Sequence, residues 1–201
     1  MVEIPEFDGF GPDAMDFLVG LRDNNSKSYF DQNRRVYDVQ IALPMKSLVV
    51  AVGQEIQKRV RPNVQFEPRI GKSMFRINRD LRFSKDKTPY NTHLDAVFWE
   101  GETSKISPGF ILRITPETTL VGTGVYGLKD VRLQRFREAI VDPVSGSEFE
   151  KLVAATAKVV RGAALSEPAR KTVPKGWPKD HERSEFLKYD GLHMSAEAHT
   201  P

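Results

Sequence analysis

The sequence predicts a single α+β domain with N-terminal helices, a mainly antiparallel central sheet, C-terminal helices and an extended tail. Up to about residue 61, apolar side chains recur at the spacing of an α-helix. From about residue 66 to 125, short runs of β-branched and aromatic residues alternate with turn residues. The connections between these runs are too short for helical crossovers, so neighbouring strands are predicted to be antiparallel. The 201 residues include no cysteine and are enough for one domain without disulfides.

Residues 1–61 form the predicted helical part. A first helix is expected from residue 11 to about residue 22, because Pro12 suits the first turn of a helix. A second helical region is expected from about residue 28 to residue 61, where apolar residues again repeat with helical periodicity. Pro44 lies inside this region and is predicted to kink it or to divide it into two helices.

Residues 62–128 form the predicted sheet. The expected strands are 66–70, 73–78, 92–99, 109–114 and 118–126. In the strand at 73–78, alternation predicts that Phe75 and Ile77 face the core while Met74, Arg76 and Asn78 point away from it.

Residues 129–161 are predicted to form two helices, and residues 162–201 a tail wrapped over the domain. The first helix covers 130–141, with Val131, Phe136 and Ile140 turned inward. The second covers 147–160, with Phe149, Leu152, Val153 and Val159 turned inward. Lysine and proline recur in the tail, where Trp177, Phe186 and Leu187 are the expected anchors, and the last residues from Met194 onward are predicted to be frayed.

The charge of the chain is unevenly distributed. The net charge is only +3, but residues 58–87 hold ten Lys or Arg against three acids, whereas residues 1–57 hold five against nine. The N-terminus is acidic where a signal peptide would be basic, and no run of about 18 apolar residues occurs. Together with the lack of cysteine, this predicts a cytoplasmic protein that does not bind membranes.

The basic segment from Arg76 to Tyr90, RINRDLRFSKDKTPY, is the most distinctive stretch chemically. Arginine provides rigid bidentate donors and lysine a mobile point charge, so several of them on one loop predict a receptor for phosphate or carboxylate. Leu81 and Phe83 are expected to pin this loop to the core, and Pro89 to close it. The predicted anion-binding residues are Arg76, Arg79, Arg82, Lys85 and Lys87.

The first functional hypothesis is therefore a binding or enzymatic site for a small anionic ligand, with Tyr90 or His93 as the candidate acid or base. A second is a nucleic-acid-binding module that uses the basic face of residues 58–87, with Tyr90 or Trp99 stacking on bases. A third is a homomeric interaction between the acidic helices of one copy and the basic segment of another. Alternatively, Asp80 and Asp86 form ion pairs with the Arg and Lys side chains of the loop. The loop is then a turn held by its own ion pairs and has no binding function.

Two other patterns are weighed and rejected. Gly122, Gly124 and Gly127 match GxGxxG, but a helix follows where a dinucleotide-binding unit needs a parallel strand, so glycines in an edge or bulged strand are the better interpretation. The four histidines lack the spacing that places two imidazoles on one metal. The sequence accordingly predicts no metal site and no cofactor.

Three stretches carry a family resemblance: GKSMFRINRDLRFSKDKTPYNTH, NNSKSYF and GTGVYGLKDVRLQRFREAI. They resemble the family known as domain of unknown function 2461, and the resemblance covers nearly the whole chain. Tyr29 stands where tryptophan is more usual in that family. The resemblance implies no catalytic residue, substrate or cofactor, because the family has no established activity. It also implies that a further element can follow Pro201.

Overall fold

The computed structural model describes residues 4–104 and 107–199. The N-terminal helices are α1 (Pro12–Asp23), α2 (Lys27–Gln32), α3 (Arg34–Val36), a π-helical segment (Tyr37–Ala42) and α4 (Leu43–Arg59). Pro12 lies in the first turn of α1, where its missing N–H costs no hydrogen bond. The Ser26 hydroxyl caps α2 by accepting a hydrogen bond from the backbone N–H of Tyr29 at 3.2 Å.

Pro44 does not divide the second helical region, because the helical run Arg34–Arg59 passes through it. Pro44 lies in the first turn of α4, which is the part of a helix where a proline is best tolerated. The turns that precede it widen into the π-helical segment, so the helical path continues through the proline rather than stopping there.

The sheet contains the strands β1 (Leu94–Trp99), β2 (Gly109–Ile114), β3 (Thr118–Val125), β4 (Ala164–Leu165) and β5 (Leu192–His199). Their order is β1-β2-β3-β5-β4, and every neighbouring pair is antiparallel. The prediction of a mainly antiparallel sheet is therefore confirmed.

The strands predicted at 66–70 and 73–78 are wrong. This part of the chain makes only isolated bridges, among them one between Met74 and Ala96 of β1. Met74 and Ile77 are buried while Phe75 is 53% exposed, which reverses the prediction for Met74 and Phe75. The cause is that the two buried residues are three apart, so the segment bends instead of alternating like a regular strand.

The C-terminal helices are α5 (Asp130–Val141) and α6 (Ser145–Val159), followed by a 3₁₀ helix (Ser184–Lys188). Ile140 is buried as predicted, but Val131, Leu152 and Val159 are exposed. These helices pack mainly on each other and on the 3₁₀ helix, so one face of each remains in solvent. Arg137 is buried on α5 instead, and donates to the carbonyl of Leu187 at 3.1 Å.

The predicted tail contains an interior strand. β5 lies between β3 and β4 and pairs with β3 from Thr118↔His199 to Val125↔Leu192, so the predicted fraying from Met194 onward is wrong up to His199. Thr200 and Pro201 lie outside the described residues. Of the two alternatives for the GTGVYG glycines, an edge or a bulged strand, the edge strand is wrong, because β3 has neighbours on both sides.

The main core lies between the N-terminal helices and one face of the sheet. Leu94, Ala96 and Phe98 of β1 point into it and alternate with side chains on the other face. That second face carries Asp95 and Val97 of β1, and directly opposite them Arg113 and Ile111 of β2. We call it the cleft face, because it forms one wall of the cleft described below.

Residues Arg34–Arg59, taken together, are the one helical run in the described residues whose length and composition would allow it to cross a membrane. Three of its apolar residues, Tyr37, Ile41 and Met45, are part of the main core. This is the behaviour of a core helix.

Candidate functional site

The basic loop at 79–88 is held together by its own acids. The Arg79 guanidinium donates to Asp86 at 2.5 Å and also to the hydroxyl of Thr88. Asp86 in turn accepts from the backbone N–H of Thr88 at 2.9 Å, and Arg82 donates to Asp80 at 2.6 Å. Two of the predicted anion-binding arginines are therefore paired with carboxylates of the same loop.

The pKa values of both acids reflect this pairing. Hydrogen bonds from Arg82 lower the pKa of Asp80 to about 2. The pKa of Asp86 is lowered by the backbone N–H of Thr88 and then by Arg79. The loop acids are thus ionised at neutral pH, and they neutralise two of the four bases between residues 79 and 88.

The two lysines of the loop are not paired with its acids. The Lys87 ammonium donates to the carbonyl of Leu81 at 3.0 Å, and Lys85 is exposed with no side-chain partner in the described part of the chain. Leu81 is partly buried, but Phe83 is 94% exposed, so the prediction that Phe83 pins the loop is wrong. Hydrogen bonds, rather than apolar contacts, fix the shape of this loop.

Two aromatic residues predicted to contact a ligand are instead part of the protein interior. Tyr90 is buried and stacks on Phe30, with ring centroids 4.5 Å apart. Trp99 is also buried. Neither ring is accessible for stacking on a base, and the Tyr90 hydroxyl does not lie at the cleft described next. His93 is half-buried beside β1, close to Asp95.

A cleft of about 750 Å³ lies between the cleft face of the sheet and the segment at 70–76. This is within the usual size range for small-molecule sites. Its charged lining residues are Lys72, Arg76, Asp95 and Arg113. Its larger apolar and aromatic lining residues are Ile70, Met74, Phe75, Val97, Phe110, Ile111 and Tyr126. Hydroxyls are contributed by Ser104, Ser107, Thr123 and Tyr126. We call this the sheet cleft.

A buried ion pair forms part of its floor. Asp95 is 8% exposed and accepts two hydrogen bonds from the Arg113 guanidinium, each of 2.8 Å. His93 places its Nε2 3.5 Å from the same carboxylate. Burial opposes ionisation of Asp95, but the bonds from Arg113 and His93 outweigh it, so the pKa of Asp95 lies below its usual value. The carboxylate is therefore a fixed negative charge balanced by Arg113.

An aromatic pair closes one end of the cleft. Tyr126 stacks on His193 of β5 with ring centroids 4.3 Å apart. Burial lowers the pKa of His193 and raises the pKa of Tyr126, so both side chains are neutral at neutral pH. Gly124 lies next to this pair with φ +151°, and a Cβ at this position would come within 2.2 Å of the Leu192 carbonyl. Only glycine lets β5 approach β3 here.

Of the predicted anion-binding residues, Arg76 is the one that lines this cleft. Its guanidinium makes no hydrogen bond or ion pair with the described residues. Lys72 also lines the cleft and is 3.4 Å from Glu67.

Asp95, Arg113 and Tyr126 were not predicted as site residues. The available signal was a charged residue inside each of two otherwise apolar strands, LDAVFW and GFILRI.

Metal binding has no support in the described ranges. No group of three or more His, Cys, Asp or Glu side chains within 4–104 and 107–199 is arranged to hold an ion.

Comparison with curated proteins gives no match to this chain. The sequence profile of the family described as "Conserved hypothetical protein (DUF2461)" matches residues 13–200, which is nearly the whole chain and includes the cleft, the basic loop and all five strands. The resemblance inferred from the sequence motifs is thereby confirmed, and the chain belongs to the DUF2461 family.

Proposed function

We propose that this protein binds a small anionic molecule with an apolar or aromatic body in the sheet cleft. The observation that carries the proposal is the position of Arg76, which lines a cavity of ligand size and whose side chain forms no hydrogen bond or ion pair with the described residues. An arginine in this situation can offer two parallel N–H donors to a carboxylate or phosphate. The proposal keeps the predicted ligand chemistry but moves its centre from the loop to the cleft.

The charge balance of the cleft favours an anion. Lys72, Arg76 and Arg113 contribute three positive charges, and Asp95 contributes one negative charge. Because Arg113 is bonded to Asp95 through both carboxylate oxygens, that pair is neutral as a unit. Lys72 is partly compensated by Glu67, which lies 3.4 Å away. The remaining positive charge therefore belongs mainly to Arg76, on the segment opposite the sheet.

The apolar lining favours a ligand that is more than a simple ion. Ile70, Phe75 and Tyr126 are each about half exposed although they are large and apolar or aromatic. All three lie in the sheet cleft, so a ligand body placed there would remove their surface from water. The outer face of Tyr126 is backed by His193, which holds the ring in place for contact with a flat group.

Thermal shift measurements with a panel of nucleotides, aromatic carboxylates and sugar phosphates at low salt test this proposal. A ligand at 100 times its Kd raises the free energy of unfolding by about 2.7 kcal/mol, which is readily visible as a higher melting temperature. We expect anions with a ring to stabilise the protein and uncharged analogues to have no effect.

The variant Arg76→Ala should abolish this stabilisation while changing the melting temperature of the free protein little, because the side chain is exposed and forms no hydrogen bond or ion pair with the described residues. Lys85→Ala is the matched control, since Lys85 is an equally exposed base of the neighbouring loop that does not line the cleft. If Lys85→Ala loses the effect and Arg76→Ala keeps it, the ligand binds at the loop and the cleft assignment is wrong. No stabilisation by any anion would remove the proposal altogether.

We further propose that the protein acts in the cytoplasm. The chain has no cysteine, which suits a reducing compartment. Fractionation of cells that express the full-length protein with a C-terminal tag tests this directly.

A further inference from the structure

Phe83 is the most exposed large apolar side chain in the described part of the molecule. It stands in the basic loop with 94% of its surface in water. Single exposed apolar side chains are common on protein surfaces, so the exposure of Phe83 becomes informative only together with the rigidity and the charge of the loop that carries it.

The loop around Phe83 is well braced. Arg79 donates to Ser84 and Thr88 as well as to Asp86, so one guanidinium ties together residues on both sides of the ring. The Lys87 ammonium closes the loop from the other direction through the Leu81 carbonyl. The exposure of Phe83 therefore belongs to a fixed loop conformation, and little ordering entropy remains to be lost on binding.

One cation lies against the ring, and a second base follows in the sequence. The Arg82 guanidinium lies 5.9 Å from the centroid of Phe83 and covers one of its faces. Lys85 follows two residues later without a side-chain partner in the described residues. Counted from Arg79 to Thr88, the loop has four bases and two acids, so its surface is positive.

We infer that the tip of this loop binds single-stranded nucleic acid, with one base stacked on the free face of Phe83 and the adjoining phosphates against Arg82 and Lys85. Aromatic side chains interleaved with bases are the usual means of binding a single strand, because every nucleobase presents a flat face. In a duplex those faces are already stacked on each other. The inference is independent of the sheet cleft, since neither Phe83 nor Lys85 lines it.

The same loop is poorly suited to a lipid surface. Binding of that kind increases with the apolar area that enters the bilayer. Apart from Phe83, the apolar side chain of the loop is Leu81, which is partly buried. Insertion of Phe83 into a bilayer would also move the Arg82 guanidinium, which lies against its ring, toward the acyl chains. A stacked base, in contrast, leaves Arg82 in water beside a phosphate.

Fluorescence anisotropy with labelled single-stranded DNA and RNA of about 20 nucleotides, at about 50 mM salt, tests the inference on the full-length protein. We expect binding to the single strands and weaker binding to duplex of the same length. Phe83→Ala should weaken binding to single strands by roughly 5- to 150-fold, which is the range for loss of one stacked base. Phe83→Leu should be as weak as Phe83→Ala because it lacks a flat ring, and Phe83→Trp should restore binding.

Salt dependence separates the roles of ring and cations. Lys85→Ala should reduce the slope of log Kobs against log salt by about 0.7, the value for one phosphate contact on a single strand. Phe83→Ala should lower affinity without changing that slope. Val159→Ala is the control. Val159 is 84% exposed on α6, so this substitution removes exposed apolar surface at a place away from the loop.

Three results would overturn the inference. One is the absence of binding to every oligonucleotide at about 50 mM salt. Another is a Phe83→Leu variant with wild-type affinity, which would mean that the ring acts only as apolar surface. The third is binding to vesicles of phosphatidylserine, lost in Phe83→Ala, by a protein that does not bind the oligonucleotides.

Discussion

At the scale of single residues, the most consequential contact is the pair of Asp95 and Arg113 under the sheet cleft. Removing Arg113 would leave a buried carboxylate without its main partner. Fully buried pairs lose about 3–5 kcal/mol in this way, but Arg113 keeps 42% of its side chain exposed, so we expect Arg113→Met to cost roughly 1–3 kcal/mol. Urea unfolding at neutral pH measures the change. Arg22→Met is the control, because the pair of Arg22 and Glu117 is exposed and screened by solvent, so its loss should change stability little.

The same variant should have a characteristic pH dependence. In the wild-type protein the pKa of Asp95 is lowered, so its contribution to stability is complete above the unfolded value of about 3.9 and is lost as pH falls through the folded pKa. Without Arg113, burial remains and favours the protonated acid. The stability difference between the two proteins should therefore shrink as pH falls from 7 toward about 4. A difference that stays constant over this range would contradict the assignment.

His193 provides a second titration, at higher pH. Burial lowers its pKa from the ordinary value of 6.5, so the folded protein prefers the neutral ring. The stability this provides is complete above 6.5 and is lost as pH falls through the folded pKa. His193→Phe keeps a ring against Tyr126 but cannot titrate. We expect its free energy of unfolding to fall less than that of the wild type between about pH 8 and pH 5, as measured by urea unfolding. Parallel profiles would show that His193 does not contribute.

At the scale of elements, β5 holds the sheet together although the sequence around it has the composition of a tail. Ala196 pairs with Val121 of β3 in the middle of the strand. Proline at this position would remove a donor from an interior strand. We expect Ala196→Pro to destabilise the protein by about 3 kcal/mol and to lower the melting temperature by about 6–12 °C. Ala196→Thr, which retains the N–H and suits a strand, should remain close to wild type in the same calorimetric scan. Equal melting temperatures for the two variants would argue against the observed pairing.

Elements with local signals could be predicted from the sequence. The helix at 130–141 and the strand at 109–114 have the predicted bounds, because each is set by its own periodicity and turn residues. β5 could not be predicted, since its strand state depends on pairing with β3 far away in the chain. The exposure of Val131 also depends on tertiary packing, because periodicity indicates an apolar face but not whether another element covers it.

The candidate site was predictable only in part for the same reason. Arg76 was identified because a cluster of bases is visible in the sequence. Asp95, Arg113 and Tyr126 come from three different parts of the chain, and the antiparallel register of β1, β2 and β3 brings them to one face. Sequence alone could not decide either whether Asp80 and Asp86 would neutralise their neighbours, because that depends on the path of the loop.

At the scale of the whole molecule, the fold covers the two faces of its sheet unequally. The N-terminal helices pack on one face and form the main core there. Over β1 and β2, the other face forms one wall of the sheet cleft, opposite the irregular segment at 70–76. The proposed ligand site lies in this concavity, whereas the proposed nucleic-acid site lies outside it, on the basic loop at 79–88. Binding assays on either site can thus be made with variants that leave the other site intact.

The strand order also has a consequence for how the protein reaches its native state. Val125 and Leu192 are partners in the sheet, yet α5, α6 and the 3₁₀ helix lie between them in the chain. Contacts at such long sequence separation form only after a large loop has closed. The conformational entropy lost in closing that loop slows folding. The pairing of α5 with α6 is local and has no such barrier. We therefore expect helix formation in the α5 and α6 region to precede docking of β5, which makes closure of the sheet the rate-limiting event of folding.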